Sequence, residues 1–198
     1  MLKWTRMIAW GLVGAFALAT PIWLLSRTPV TQRTLSEGTL GAPFVLQSSK
    51  GGAFDSAQLK GRPYALFFGF TYCPDICPTT VAELSNHLEA LGPAAQDFKV
   101  LFVSVDPARD TPEVLKDFLS NFDPRIIGLT GTTEQIESVT QAYAAYAKRV
   151  ALDGGNYTMD HSASVFLFDG KGQLVSTLDF KEKPAVKLEK LKMLLARE

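Results

Sequence analysis

An α/β fold is predicted by three features of this 198-residue sequence. Two continuous apolar runs, Tyr64-Ala65-Leu66-Phe67-Phe68 and Val100-Leu101-Phe102-Val103-Ser104-Val105, read as strands buried on both faces. Between them Val81, Leu84, Leu88 and Leu91 recur at helical spacing. Farther along, Asp169-Gly170-Lys171-Gly172 separates two short apolar segments, which is a hairpin signature.

Taken in order, the first helix follows the first apolar run, and Pro78 suits its opening turn. Asp110-Thr111-Pro112-Glu113 opens a second helix, with Val114, Leu115, Phe118, Leu119 and Phe122 on one face. Residues 126–129 form a short strand. Thr132 with Gln135 makes a capping box for a third helix running to about Tyr146. A Gly154-Gly155-Asn156 loop leads to the hairpin strands at 164–168 and 174–178. Pro184 then precedes a last amphipathic helix carrying Val186, Leu188, Leu191, Leu194 and Leu195. A β-α-β half followed by a β-β-α half is the order of a thioredoxin-like α/β fold. No repeat or low-complexity segment interrupts it.

Length leaves room for one domain, at roughly 150 residues per domain, and an apolar content of 46% suits a packed core. The 20 basic and 20 acidic side chains cancel, which excludes a nucleic-acid binder living on phosphate contacts. The charge is unevenly spread. Residues 1–34 carry four basic and no acidic side chains, residues 35–180 carry 10 and 17, and residues 181–198 carry six and three. An acidic body therefore lies between two basic ends. Two cysteines and two histidines exclude a disulfide-rich scaffold and a four-cysteine zinc site. No phosphate-binding glycine motif is present.

Residues 7–26 form a run of 20 positions without a charge. As a helix it spans about 30 Å, the thickness of a bilayer's hydrocarbon. Trp4 and Trp23 fall near its ends, at the expected interfacial positions. Ala17-Leu18-Ala19 offers the alternative of a cleaved signal peptide, but Ile22-Trp23-Leu24-Leu25 carries the apolar run past that point and favours an anchor. Lys3 and Arg6 favour a cytoplasmic N-terminus, a bias that Arg27 and Arg33 weaken. The expected organisation is a single N-terminal transmembrane anchor over residues 1–27, a tether over 28–38 and an exported domain over 39–198.

Both cysteines fall in Cys73-Pro74-Asp75-Ile76-Cys77-Pro78, between a buried strand and a helix. Open α/β folds place ligands at that edge. A helix N-terminus favours thiolate, which serves both attack on disulfides and ligation of a soft metal. A plain disulfide there would close only a tiny loop and make a poor staple. The three-residue spacing also departs from the Cys-x-x-Cys of dithiol oxidoreductases. His161, just before the hairpin's first strand, reads by itself as a solvated or structural residue; packed against the cysteine loop in a thioredoxin-like layout it would complete a site of two sulfurs and one nitrogen, which suits Cu(I) better than structural zinc. His87 reads as a solvated helix residue and Met159 as core filler. Asp75 and Asp160 read equally as outer carboxylates tuning ligands or as plain loop carboxylates. Asp160-His161-Ser162 cannot act as a triad, because adjacent residues of an extended chain face opposite ways. Lys187, Lys190, Lys192 and Arg197 read as a solvated helix face.

Three segments carry a resemblance to a known family. Phe68-Gly69-Phe70-Thr71-Tyr72-Cys73-Pro74-Asp75-Ile76-Cys77-Pro78 resembles the copper-site loop of the Sco/SenC copper chaperones. Ser104-Val105-Asp106-Pro107-Ala108-Arg109-Asp110-Thr111-Pro112 is similar to their second signature, and Met159-Asp160-His161-Ser162 to their histidine segment. The resemblance spans roughly residues 40–195. It implies a thioredoxin-like domain that binds a copper ion through Cys73, Cys77 and His161. It also implies a role in cytochrome c oxidase assembly, with the oxidase's copper-bearing subunit as partner. The anchor through residues 7–26 then implies a single-pass inner-membrane protein with its domain on the periplasmic or equivalent exported side. Tyr72 stands where some members carry His. Thr71 is two residues before Cys73, whereas peroxiredoxins place a Thr three before, which counts against peroxidase chemistry. The alternative function is an exported thiol-disulfide oxidoreductase with Cys73 and Cys77 as its redox pair.

Overall fold

The computed structural model describes residues 40–197. The anchor expected over 1–27 and the tether over 28–38 lie outside the described residues. Among the described residues no helix is long and apolar enough to cross a membrane. The elements in order are β1 (Val45–Ser48), β2 (Ala53–Asp55), β3 (Tyr64–Gly69), α1 (Ile76–Leu91), β4 (Lys99–Ser104), α2 (Pro112–Leu119) and β5 (Ile126–Thr130). They continue with α3 (Thr133–Ala142), β6 (Ala147–Ala151), β7 (Tyr157–His161), β8 (Val165–Phe168), β9 (Leu174–Leu178) and α4 (Pro184–Leu195).

Seven strands form one sheet in the order β2-β1-β5-β4-β3-β8-β9, and β6 pairs with β7 apart from it. β3, β4 and β5 are parallel; β1 and β8 join them antiparallel on the two sides. All of β3 is buried, as is β4 beyond Lys99, which is why both read as unbroken apolar runs. α1 buries Val81, Leu84 and Leu88 and packs against α4. The helix starts follow the sequence. Thr111 accepts from the Val114 N–H at 3.3 Å with Pro112 in the first turn of α2, and the Thr132–Gln135 capping box opens α3.

Three expectations are corrected. α3 stops at Ala142, four residues short of Tyr146. The Ala145 N–H donates to the Thr140 carbonyl and the Ala144 N–H to that of Gln141, a Schellman ending. Ala144 occupies the left-handed position at φ 48° that glycine usually fills, so no glycine marks the stop. His87 and Lys187, expected in solvent, are buried at 6% and 5% exposure. Lys187 Nζ lies 2.5 Å from Glu83 Oε2, and His87 Nε2 lies 3.6 Å from Glu83 Oε1. One carboxylate of α1 thus binds the lysine of α4, and the histidine a turn away lies beside it. Lys192 and Arg197 are exposed as expected.

Replacing Lys187 by Ala strands the largely buried Glu83 carboxylate without its cation. Urea unfolding of the variant is expected to show a loss of about 3 kcal/mol. The paired change Glu83→Gln with Lys187→Met removes both charges and is expected to recover most of it.

Candidate metal centre

Parallel pairing decides where the chemistry sits. β3 and β4 run in register from Tyr64 opposite Lys99 to Gly69 opposite Ser104, so both leave the sheet at one edge. β8 runs the other way, with Phe168 opposite Tyr64, so the chain entering β8 arrives at that same edge. The loop after β3 brings the cysteines, and β7 brings His161. Such an edge is where open α/β sheets place ligands.

Both cysteines are free thiols, Cys77 buried in the first turn of α1 and Cys73 half-buried ahead of it. The Cys77 N–H donates to Cys73 Sγ at 3.4 Å. A sulfur thus takes up one of the helix's unpaired N–H groups, while Asp75 at the cap position makes no side-chain cap bond. Burial pushes the Cys77 thiol far above its ordinary range, and the backbone hydrogen bond from Phe70 only partly opposes this. Cys77 therefore keeps its proton at neutral pH. Gly69 is required beside it. A Cβ there would stand 3.1 Å from Cys77 Sγ and 2.8 Å from the Phe102 ring.

His161 ends β7, opposite Ala147 of β6. Its Nδ1 lies 2.9 Å from the Ser162 carbonyl, an acceptor that holds the proton on Nδ1 and leaves the Nε2 lone pair free. Nε2 is 3.4 Å from Cys77 Sγ. Burial lowers the imidazole pKa, against the pull of the Ser162 and Phe68 carbonyls, so the ring stays neutral. Phe67 and Phe70 flank it edge-on at centroid distances of 6.0 and 5.7 Å. The donor atoms of Cys73, Cys77 and His161 all lie within 4.8 Å of one another. Two sulfurs and a neutral imidazole nitrogen form a soft, three-donor set that can hold a metal ion and suits Cu(I).

The other candidates lie elsewhere. Met159 packs against the hydrophobic core. Asp75 is exposed and accepts from the Thr79 hydroxyl at 3.3 Å, and Asp160 is exposed on β7. The Ser162 hydroxyl accepts from the Tyr146 N–H at 2.9 Å, leaving no triad. His87 sits in the buried cluster between α1 and α4.

Asp110, which in the sequence stands at the opening of a helix, organises the site. Asp110 is 0% exposed. It accepts from the Thr71 N–H at 3.1 Å, the Thr71 hydroxyl at 2.6 Å and the Ser104 hydroxyl at 2.6 Å. Burial raises its pKa, and these three bonds oppose the rise. The available signal was positional. A charged cluster, Asp106 to Asp110, directly follows a central buried strand at the ligand-bearing edge.

The chain matches the SCO1/SenC family over residues 32–196. It is 41% identical over 155 residues to the SCO2-like protein of Rickettsia prowazekii, covering 76% of each chain. Among solved structures it is similar to Bradyrhizobium japonicum ScoI with copper bound, at 43% identity and a TM-score of 0.73, over 78% of this chain and 99% of that one. Yeast Sco1 with copper bound is similar at 34% identity and a TM-score of 0.71, over 81% and 90% of the two chains. These likenesses support the thioredoxin-like α/β fold.

The two thiols are expected to react unequally. Iodoacetamide at pH 8 should modify Cys73 first, with Cys77 protected by burial and by its retained proton until the protein is unfolded. Peptide mass spectrometry at timed intervals checks this, and equal rates in the folded protein would contradict the buried position of Cys77.

Proposed function

Because the chain belongs to the SCO1/SenC family, we propose that it is a membrane-anchored copper chaperone that binds one copper ion through Cys73 Sγ, Cys77 Sγ and His161 Nε2. It delivers that ion to the copper-bearing subunit of cytochrome c oxidase during assembly. The observation that carries this reading is the convergence of three soft donors, from positions far apart in the chain, within 4.8 Å. The uncharged run at 7–26 supports an inner-membrane anchor, with residues 28–38 as tether and 39–198 as the domain on the periplasmic or equivalent exported side.

Loading requires the thiols to give up their protons, and Cys77 keeps its proton at neutral pH. Two thiolates around a monovalent ion carry a net charge of −1, which the N-terminus of α1 offsets. His161 enters neutral, through Nε2, and needs no proton exchange. Release to a partner rich in thiolate or imidazole is then a ligand exchange that returns protons to the two sulfurs.

The difference in exposure between the cysteines also favours a second reading as a thiol-disulfide oxidoreductase. The accessible Cys73 thiolate attacks a partner disulfide and releases one partner thiol. Cys77 then displaces the other, forming the Cys73–Cys77 disulfide as the partner gains two electrons and two protons.

The test is an anaerobic Cu(I) titration of the reduced full chain in detergent, competed against a chelator. One ion per chain is expected, with His161→Ala weakening affinity by more than the roughly 10- to 100-fold that outer-shell changes cost. Affinity should climb with pH by at least about tenfold per unit between pH 6 and 8, because the Cys77 thiol must ionise on binding. Burial lowers the His161 pKa, so the imidazole adds least to that slope toward pH 8. Binding indifferent to His161 would favour the dithiol reading.

A further inference from the structure

The copper donors sit on two separate supports. Cys73 and Cys77 belong to the β3–α1 junction, embedded in the seven-stranded sheet. His161 belongs to the β6–β7 hairpin, which is not part of that sheet. A two-stranded hairpin is marginal in water by itself, and β6 is largely exposed. Something other than sheet pairing must therefore fix His161 against the cysteines.

The loop after β4 supplies it. Asp106 and Arg109 pair through Oδ2 and Nε. Arg109 Nη1 donates to the Tyr157 carbonyl at 3.1 Å, and the Tyr157 hydroxyl donates to Asp106 Oδ1 at 2.8 Å. Tyr157 is the first residue of β7 and His161 the last. Stacking reinforces the bonds. The Arg109 guanidinium lies 3.8 Å from the Tyr157 ring centroid and 4.7 Å from that of Tyr72, next to Cys73. The Arg149 guanidinium, from β6, lies 3.6 Å from the Tyr157 ring. Aromatic rings and guanidinium groups thus link the cysteine loop, the loop after β4 and both strands of the hairpin. Asp106 is buried at 3% exposure, so the clasp is anchored in the protein interior.

We propose that Asp106, Arg109 and Tyr157 are positioning residues, a clasp that pins the free-standing hairpin so that His161 Nε2 meets the cysteine pair. With Asp110 holding the cysteine loop at Thr71, one short loop registers both halves of the metal site. The inference rests on the three-donor reading of that site.

The test combines a double-mutant cycle on the full chain with amide hydrogen exchange on its reduced, metal-free form. Tyr157→Phe keeps the ring and loses only the bond to Asp106, and Arg109→Lys keeps the charge but loses the planar fork. Each is expected to weaken Cu(I) binding roughly tenfold, and to add almost nothing in a His161→Ala background. Exchange should accelerate over residues 157–161 and stay unchanged over 64–69. Equal weakening with and without His161, or unaltered exchange at 157–161, would overturn the clasp. Copper binding that ignores His161→Ala would overturn the three-donor reading instead, while accelerated exchange at 157–161 would still uphold the clasp as what places His161.

Discussion

Asp110 is a carboxylate shut away from water, and the cysteine loop can take its shape only while that carboxylate is there to receive it. Thr71 gives it both a backbone and a side-chain hydrogen, and Ser104 at the end of β4 gives it a third. Removing the acceptor would leave buried donors unpaired, at about 1–3 kcal/mol for each. The Val105 N–H to the Gly69 carbonyl, at 2.8 Å, continues the β3–β4 pairing up to this point. Only Tyr72 separates Thr71 from Cys73, so these bonds fix the sulfur's approach. The close contact of Gly69 with Cys77 and Phe102 then leaves no slack on the other side.

Electrostatically, the metal-free site is quiet. Burial keeps a proton on Cys77 and off His161, so neither side chain brings an unpaired charge into the apolar surroundings of Phe67, Phe70 and Phe102. Desolvation disfavours the charged form of both groups and leaves two neutral ones. A soft monovalent ion held there would replace the two thiol protons, and the single negative charge left over would fall at the N-terminus of α1. Hard cations seeking several oxygen ligands find none in this donor set.

Much of this was legible in the sequence because its physical signal was local. Buried parallel strands appear as continuous apolar runs, and β3 and β4 did. Caps are short-range patterns, and Thr111 and Thr132 behaved as read. The cysteine loop announced itself by its place between strand and helix. What stayed hidden was long-range or lacked periodicity. β6 carries Lys148 and Arg149 among exposed alanines and has no buried face to alternate with a polar one. α3 overran its end in the sequence because Ala144 does glycine's work. Lys187 could not be recognised as buried, since the Glu83 carboxylate that binds it lies 104 residues away on another element. The roles of Asp106, Arg109 and Asp110 exist only once β4 delivers them beside the cysteine loop.

The contact between Cys77 and His161 joins residues 84 positions apart. An unfolded chain therefore offers copper a pair of sulfurs four residues from each other, with the imidazole at the far end of a long, entropically costly loop. In the proposed site the third ligand joins only when the sheet has closed. Ion affinity and folding are thus one equilibrium viewed from two ends: every increment by which the complete site outbinds the two sulfurs alone is returned as stability of the folded domain. A chain that gave up its ion would lose that increment but keep its core, because all three donors lie outside the seven strands of the sheet.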